Sequence, residues 1–265
     1  MLLLATPSLL LPGMKSDTAQ IVTLVAIFGA SLTFFEYASS YPGLVEFRDA
    51  PPFNRIRFGS LLLTVVLLSL MTRGQVEPSS LTLLVERIGV SVGEVIDFPY
   101  SPVRLVVLML PVDTSVGHIE LVRNSAGISY LISLFTLAIF IILQRIHHWP
   151  LRNGAFNVWV NLPTFDPTAG GDVVERLERD ARFNIALGFL LPFLTPAVIK
   201  SATSLFGSVS LENPHTLIWT VAAWAFLPAS LFMRGIAMGR IAGMITQKRR
   251  DSASEDESSE GLLPV

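Results

Sequence analysis

Apolar residues in this chain come in long blocks rather than in the one-in-two alternation of half-buried strands. A bilayer core about 30 Å thick takes about 20 mostly apolar residues of helix at 1.5 Å each. Blocks over about 20–40, 125–145, 183–203 and 216–236 meet that length. A fifth block, 57–73, is shorter, and Arg57 and Arg73 at its ends extend its reach by snorkelling outward. The pattern predicts an all-α, polytopic integral membrane protein with about five transmembrane helices in a single helical domain over 1–247.

A different period appears at 80–96. There Leu81, Leu84, Val85, Ile88, Val92, Val95 and Ile96 share one helical face, opposite Glu86, Arg87, Ser91 and Glu94. Pro78, Ser79 and Ser80 supply a start and an N-cap. This is an amphipathic helix that lies in the interface or covers an end of the bundle. The next segment, 97–112, is cut by Pro99, Pro102 and Pro111 and interrupted by Arg104. It reads as a loop covering the bundle, with a re-entrant dip as the competing reading.

Charge placement separates five spans from six. With five, 13 of the 19 basic residues fall on one face; counting 103–112 as a sixth moves two basic groups to the other side. The expected orientation is N-terminus outside and C-terminus cytoplasmic, in a bacterial inner membrane. Residues 1–13 resemble the apolar part of a signal peptide but lack its basic start and carry Pro7 and Pro12, so Met14 is an alternative start and 1–13 is expected to be non-structural.

On the cytoplasmic side, loop 146–182 carries an aromatic stretch in which Trp159 and Phe165 are expected to be exposed partner contacts. Asp172, with Glu175 three residues on, is placed to cap a helix running unbroken from about Val173 into the span at Phe183, with Pro192 and Pro196 kinking it. Gly235, Gly239 and Gly243 form an i,i+4 stripe suited to close helix contact. Beyond Lys248, Arg249 and Arg250, the acidic, serine-rich tail (block 248–265) is expected to be disordered.

Composition agrees with this reading: 51% of the 265 residues are hydrophobic and 15% charged, with mean hydropathy +0.57. A net charge of −2 leaves no basic excess for nucleic acid, and the absence of cysteine removes disulfides and thiolate chemistry. Candidate chemistry is sparse. Glu36 is the one acid within the blocks, assigned to ion or proton handling or to a pair with Arg55 or Arg57. His118, His147, His148 and His215 all fall outside the blocks, and the adjacent pair points to different helix faces, so no cofactor or metal site is read. The expected function is a non-catalytic membrane subunit or assembly factor whose partners are the lipid bilayer and other membrane subunits. A small transporter or channel using Glu36 and the proline-containing span 183–203 is the alternative.

Overall fold

The computed structural model describes residues 1–13, 16–146, 149–150, 156–166, 168–206 and 211–260. Among them the chain is all-helical: α1 (Leu2–Leu10), α2 (Ser16–Ala38), α3 (Phe53–Gly74), α4 (Ser80–Ile96), α5 (Pro102–Leu108), α6 (Val116–Ile146), α7 (Val158–Asn161), α8 (Val173–Phe206) and α9 (Pro214–Glu260). Five of these, α2, α3, α6, α8 and α9, are long and apolar enough to cross a membrane. The chain is a polytopic helical membrane protein, with one end of the bundle carrying most of the arginines, here termed the basic end.

Two cores divide the bundle along its length. The first, at the end opposite the basic one, joins Leu68 and Met71 of α3, Val85 of α4, Val103 and Val106 of α5, Val122 of α6 and Ile218 of α9. The second, at the basic end, joins Phe47, Phe53, Phe140, Trp149, Leu162 and Leu177 to Met233, Met238 and Ile241 of α9. Polar groups between the helices are largely satisfied within their own turn. Ser69, Thr72 and Ser129 each donate to the carbonyl four residues earlier, at 2.7–2.8 Å, the local solution available to hydroxyls where water is absent.

The cap at 79 is a reciprocal box: Ser79 Oγ accepts from the Thr82 amide at 3.2 Å, and Thr82 Oγ1 accepts from the Ser79 amide at 2.8 Å. Helix α4 covers the bundle end with a face the apolar periodicity marks only in part: Val85, Val92 and Ile96 meet the first core, and the remaining apolar residues do not. It buries Thr82, Val85, Gly89 and Gly93, while Leu81, Leu84, Ile88 and Val95 stay exposed. The reason is close approach: a Cβ on Gly127 of α6 would sit 2.9 Å from Gly93 Cα. In a membrane the large apolar side chains face lipid, and small residues carry the helix contact.

Segment 97–112 forms α5 against α6 and α8, a cover whose Val103 is fully buried. Arg104 turns back to Asp97 at 2.8 Å, which neutralises the charge that interrupts the apolar run. Residues 1–13 contradict the non-structural expectation. Helix α1 sits between α2 and α3, buries Thr6 and Pro7, and lays Leu3 and Leu11 on the first core. The alternative start at Met14 lies outside the described residues.

Helices α8 and α9 form the most extensive contact in the molecule, an antiparallel hairpin. At about 1.5 Å per residue the 34 residues of α8 and 47 of α9 reach about 50 and 70 Å. Both therefore outrun the bilayer and project from the basic end. Asp172 Oδ1 caps α8 by accepting from the Val174 amide at 2.8 Å. Its Oδ2 receives Arg249 of α9 at 2.9 Å, locking the hairpin's far end. The α9 backbone stays helical through Glu260, where disorder is expected from composition; residues 261–265 lie outside the described set.

Candidate functional site

The basic end is closed by a cap that joins loop 39–52, the start of α3, segment 156–166 and the middle of α9. Its electrostatic centre is Glu46. Arg234 of α9 grips this carboxylate as a fork, Nε to Oε2 at 2.6 Å and Nη2 to Oε1 at 2.9 Å. Thr164 donates its hydroxyl to Oε1 at 2.6 Å, and Asn54 of α3 donates to the Glu46 carbonyl at 2.7 Å. The Glu46 side chain is 13% exposed and that of Arg234 24%, so the pair is partly desolvated and bidentate, the geometry in which an ion pair contributes most.

Arg57 lies one layer deeper. Its Nε donates to Ser230 Oγ at 3.2 Å, and its guanidinium carbon stands 5.4 Å from the Phe53 ring centre and 5.7 Å from that of Phe226. Aromatic faces and a hydroxyl thus hold this cation, a cation–π arrangement that keeps a guanidinium near the hydrocarbon boundary. Trp149 fills the adjoining space against Phe47, Phe53 and Phe140, with ring centres 5.6, 6.3 and 5.7 Å away. Its indole N–H donates to the Ala50 carbonyl at 3.0 Å.

Asn161 stitches the two loops. Its carbonyl accepts from the Phe47 amide at 2.7 Å and its side-chain oxygen from the Asp49 amide at 3.0 Å. Phe47 is fully buried and has φ of +52°, a left-handed backbone that costs a non-glycine residue about 1–2 kcal/mol. Burial of its ring and the hydrogen bond from its amide to the Asn161 carbonyl hold the conformation.

The residues singled out from sequence divide around this cap. Glu36 pairs with neither Arg55 nor Arg57. Its Oε2 accepts from the amides of Gly43, Leu44 and Val45 at 3.1, 2.8 and 3.1 Å, so it organises the turn that leads into the cap. Arg48 donates to the carbonyls of Glu36 and Ser39, bracing the same turn. Trp159 is exposed, at 54%. Phe165, expected to be exposed, is buried at 5%, with the Arg176 guanidinium 4.8 Å above its ring. Beside it, Asp166 has its acidity raised, first by the Thr168 hydroxyl and then by the Thr168 amide.

The glycine stripe is used inside the chain, and unevenly. A Cβ on Gly235 would lie 2.7 Å from the Ala181 carbonyl and 2.9 Å from the Ile185 amide of α8. One on Gly239 would be 3.8 Å from Ala181 Cβ, and one on Gly243 would meet open space. Gly188 completes the crossing from the α8 side, 2.7 Å from the Pro228 carbonyl on the same measure.

Above the crossing, α5, α8 and α9 enclose an apolar cleft of about 560 Å³ between Val106, Leu191, Pro196, Trp219, Trp224 and Leu227. Pro196 has no N–H to give the Pro192 carbonyl, and Trp224 Nε1 fills that vacancy at 3.1 Å. Asn184 donates to the Asp180 carbonyl of its own helix at 2.7 Å. His118 lies at the opposite end of the bundle beside Leu11, Gln75 and Pro214; His147 and His148 fall outside the described residues. Among the described residues no three His, Asp or Glu side chains gather in a way that holds a metal ion.

Glu46, Arg234, Asn161 and Arg57 form the cap, and the sequence pattern marks none of them as a site residue. Their only local signal is a charge or amide beside an apolar block; the pairing joins positions 188 residues apart. Comparison with known proteins adds no further guide: no family model, no curated protein and no solved structure matches the chain.

Proposed function

We propose that this protein is a non-catalytic integral membrane subunit or assembly factor, and that α2 seats an apolar transmembrane helix of a partner. The observation that carries the reading is the isolation of α2. It is 23 residues long, yet Ala26 is its one buried residue among those described, and its contacts are chiefly with α1. Ile21, Leu24, Phe28, Phe34 and Phe35 are all exposed. Lipid alone tolerates such a helix, since no hydrophobic force drives helices together within a bilayer. A span held off the bundle by α1, with faces free on several sides, is the arrangement that leaves room for a neighbour.

The basic-end features fit the same reading. The cap is charge-paired, Trp159 projects from it, and the α8–α9 hairpin extends beyond it. The transporter alternative has less support, because Glu36 is engaged by three backbone amides and the hydroxyls between helices largely bond within their own turns. The charge bias supports a cytoplasmic basic end in a bacterial inner membrane.

Site-specific photocrosslinking in native membranes tests the proposal. A crosslinker at Phe28 is expected to give one adduct with a membrane protein that mass spectrometry identifies, while one at Phe140, 1% exposed, gives none. Lipid adducts alone at Ile21, Phe28 and Phe35, with a monomer recovered in mild detergent, would overturn it. A reporter fused after Val265 is expected in the cytoplasm; a periplasmic signal reverses the assigned orientation.

A further inference from the structure

We propose that the basic end carries a phosphate-binding pocket between α6 and α9, built by Arg145 and Arg240, whose ligand is the headgroup phosphate of an anionic phospholipid. Gln144 and Arg145 in the last turn of α6, with Ile236 and Arg240 on α9, line an open recess of about 500 Å³. Ile236 and Arg240 are four residues apart and so share one helix face. The two arginines therefore border the same space from two helices.

Their charge is unbalanced. Arg48, Arg179, Arg182, Arg234 and Arg249 at this end each have an aspartate or glutamate within 4.0 Å. Among the described residues neither Arg145 nor Arg240 has such a partner. Arg240 spends one donor, Nε, on the Trp149 carbonyl at 3.2 Å, which fixes the guanidinium and leaves its terminal nitrogens free of that bond. Two like charges at one recess favour an anion that accepts from both, and a phosphate takes guanidinium donors in pairs. The Gln144 amide adds a neutral donor.

Location selects the lipid source. The recess lies where α6 ends, and α6 presents an exposed apolar stripe at 4-3-4 spacing: Phe135, Ile139, Ile142 and Ile146. Ile142 is three residues before Arg145, so the stripe runs from the recess along the hydrocarbon zone, as acyl chains below a bound headgroup require. Basic recesses between transmembrane helices at the cytoplasmic boundary are the usual seat of such headgroups.

The test uses the full chain, delipidated in mild detergent and titrated with phosphatidylglycerol or phosphatidylcholine, with bound lipid counted by native mass spectrometry. The wild type is expected to retain phosphatidylglycerol preferentially. Arg145→Gln, at an exposed position that leaves folding intact, lowers that preference about fivefold, and adding Arg240→Gln abolishes it. Arg55→Gln, an exposed arginine of the same end outside the recess, leaves it unchanged. Equal losses from Arg55→Gln and Arg145→Gln, or no loss from the double variant, would overturn the site. Inorganic phosphate is the second probe. Thermal stabilisation by phosphate that Arg145→Gln removes, without any lipid preference, would keep the phosphate chemistry and overturn the headgroup assignment.

Discussion

Replacing Gly235 with alanine places a methyl group 2.7 Å from the Ala181 carbonyl, 2.7 Å from Ile185 Cγ1 and 2.9 Å from the Ile185 amide. Ordinary carbon contacts begin near 3.5 Å, and two of these neighbours are backbone atoms of α8 that cannot rotate away. The helices must separate by roughly 1 Å, opening the Leu177, Ala181, Ala237 and Met238 layer beside the substitution. Such overpacking costs about 1–3 kcal/mol, against a gain of about 1 kcal/mol from better helix propensity, so Gly235→Ala destabilises by up to about 2 kcal/mol. The same change at Gly239, where the methyl would meet Ala181 Cβ at 3.8 Å, an ordinary van der Waals contact, keeps the propensity gain and stabilises by up to about 1 kcal/mol. At Gly243 nothing lies within 4 Å, and alanine stabilises by up to about 1 kcal/mol. Equilibrium unfolding of the three purified variants in mixed micelles, followed by helical circular dichroism, reads the series. Equal effects at all three positions, or a loss confined to Gly243→Ala, would refute the assignment of the close crossing to Gly235.

Three further outcomes follow from the cap, the hairpin and α1. Glu46→Gln or Arg234→Met each leaves a partly desolvated charge without its partner and is expected to cost about 1–3 kcal/mol in the same unfolding assay; a double variant no worse than either single change shows the coupling, and strict additivity denies it. Asp172 has its pKa held below the usual 3.8, first by the Arg249 hydrogen bond and then by the Val174 amide. Because the folded value is the lower one, the hairpin lock is complete above pH 3.8 and is lost as pH falls through the depressed value; spin-label distances across the hairpin tip should widen only there, while in Asp172→Asn they show no such acid transition. Finally, a Cβ on Gly29 would lie 2.9 Å from Leu4 Cδ1, so a Leu4→Cys, Gly29→Cys pair should be joined by a short bifunctional thiol reagent in this cysteine-free chain, and failure to crosslink would place α1 elsewhere.

How far the sequence reaches differs from element to element. Helix α4 runs over the same 80–96 window its periodicity marks, and α8 begins where Asp172 announces a cap. The buried side of α4 is another matter. Gly89 and Gly93 face the bundle while Leu84 and Ile88 face outward, because a bilayer removes the rule that large apolar side chains turn inward. Phe165 fails for a related reason. An aromatic in a polar loop looks exposed until Arg176, ten residues beyond Asp166, is folded over its ring. The acidic stretch after Arg250 lacks the apolar residues of a core, yet it continues the helix of a 47-residue α9 whose nucleation cost is already met upstream.

The sequence by itself determined five membrane-crossing helices and a basic bias at one end, because both depend on quantities additive along the chain: apolar length and charge position. Tertiary structure alone decided which residues form the cap. Glu46 and Arg234 meet across 188 residues and Asp49 and Asn161 across 112, and nothing local to either partner encodes the other. It also decided that Glu36 accepts from three backbone amides, and that α1 fills the gap between α2 and α3. The physical reason is that side-chain pairing depends on where helices cross. Those crossings are set by close contacts such as Gly188 against Pro228 and Gly235 against Ala181, which hydropathy does not register.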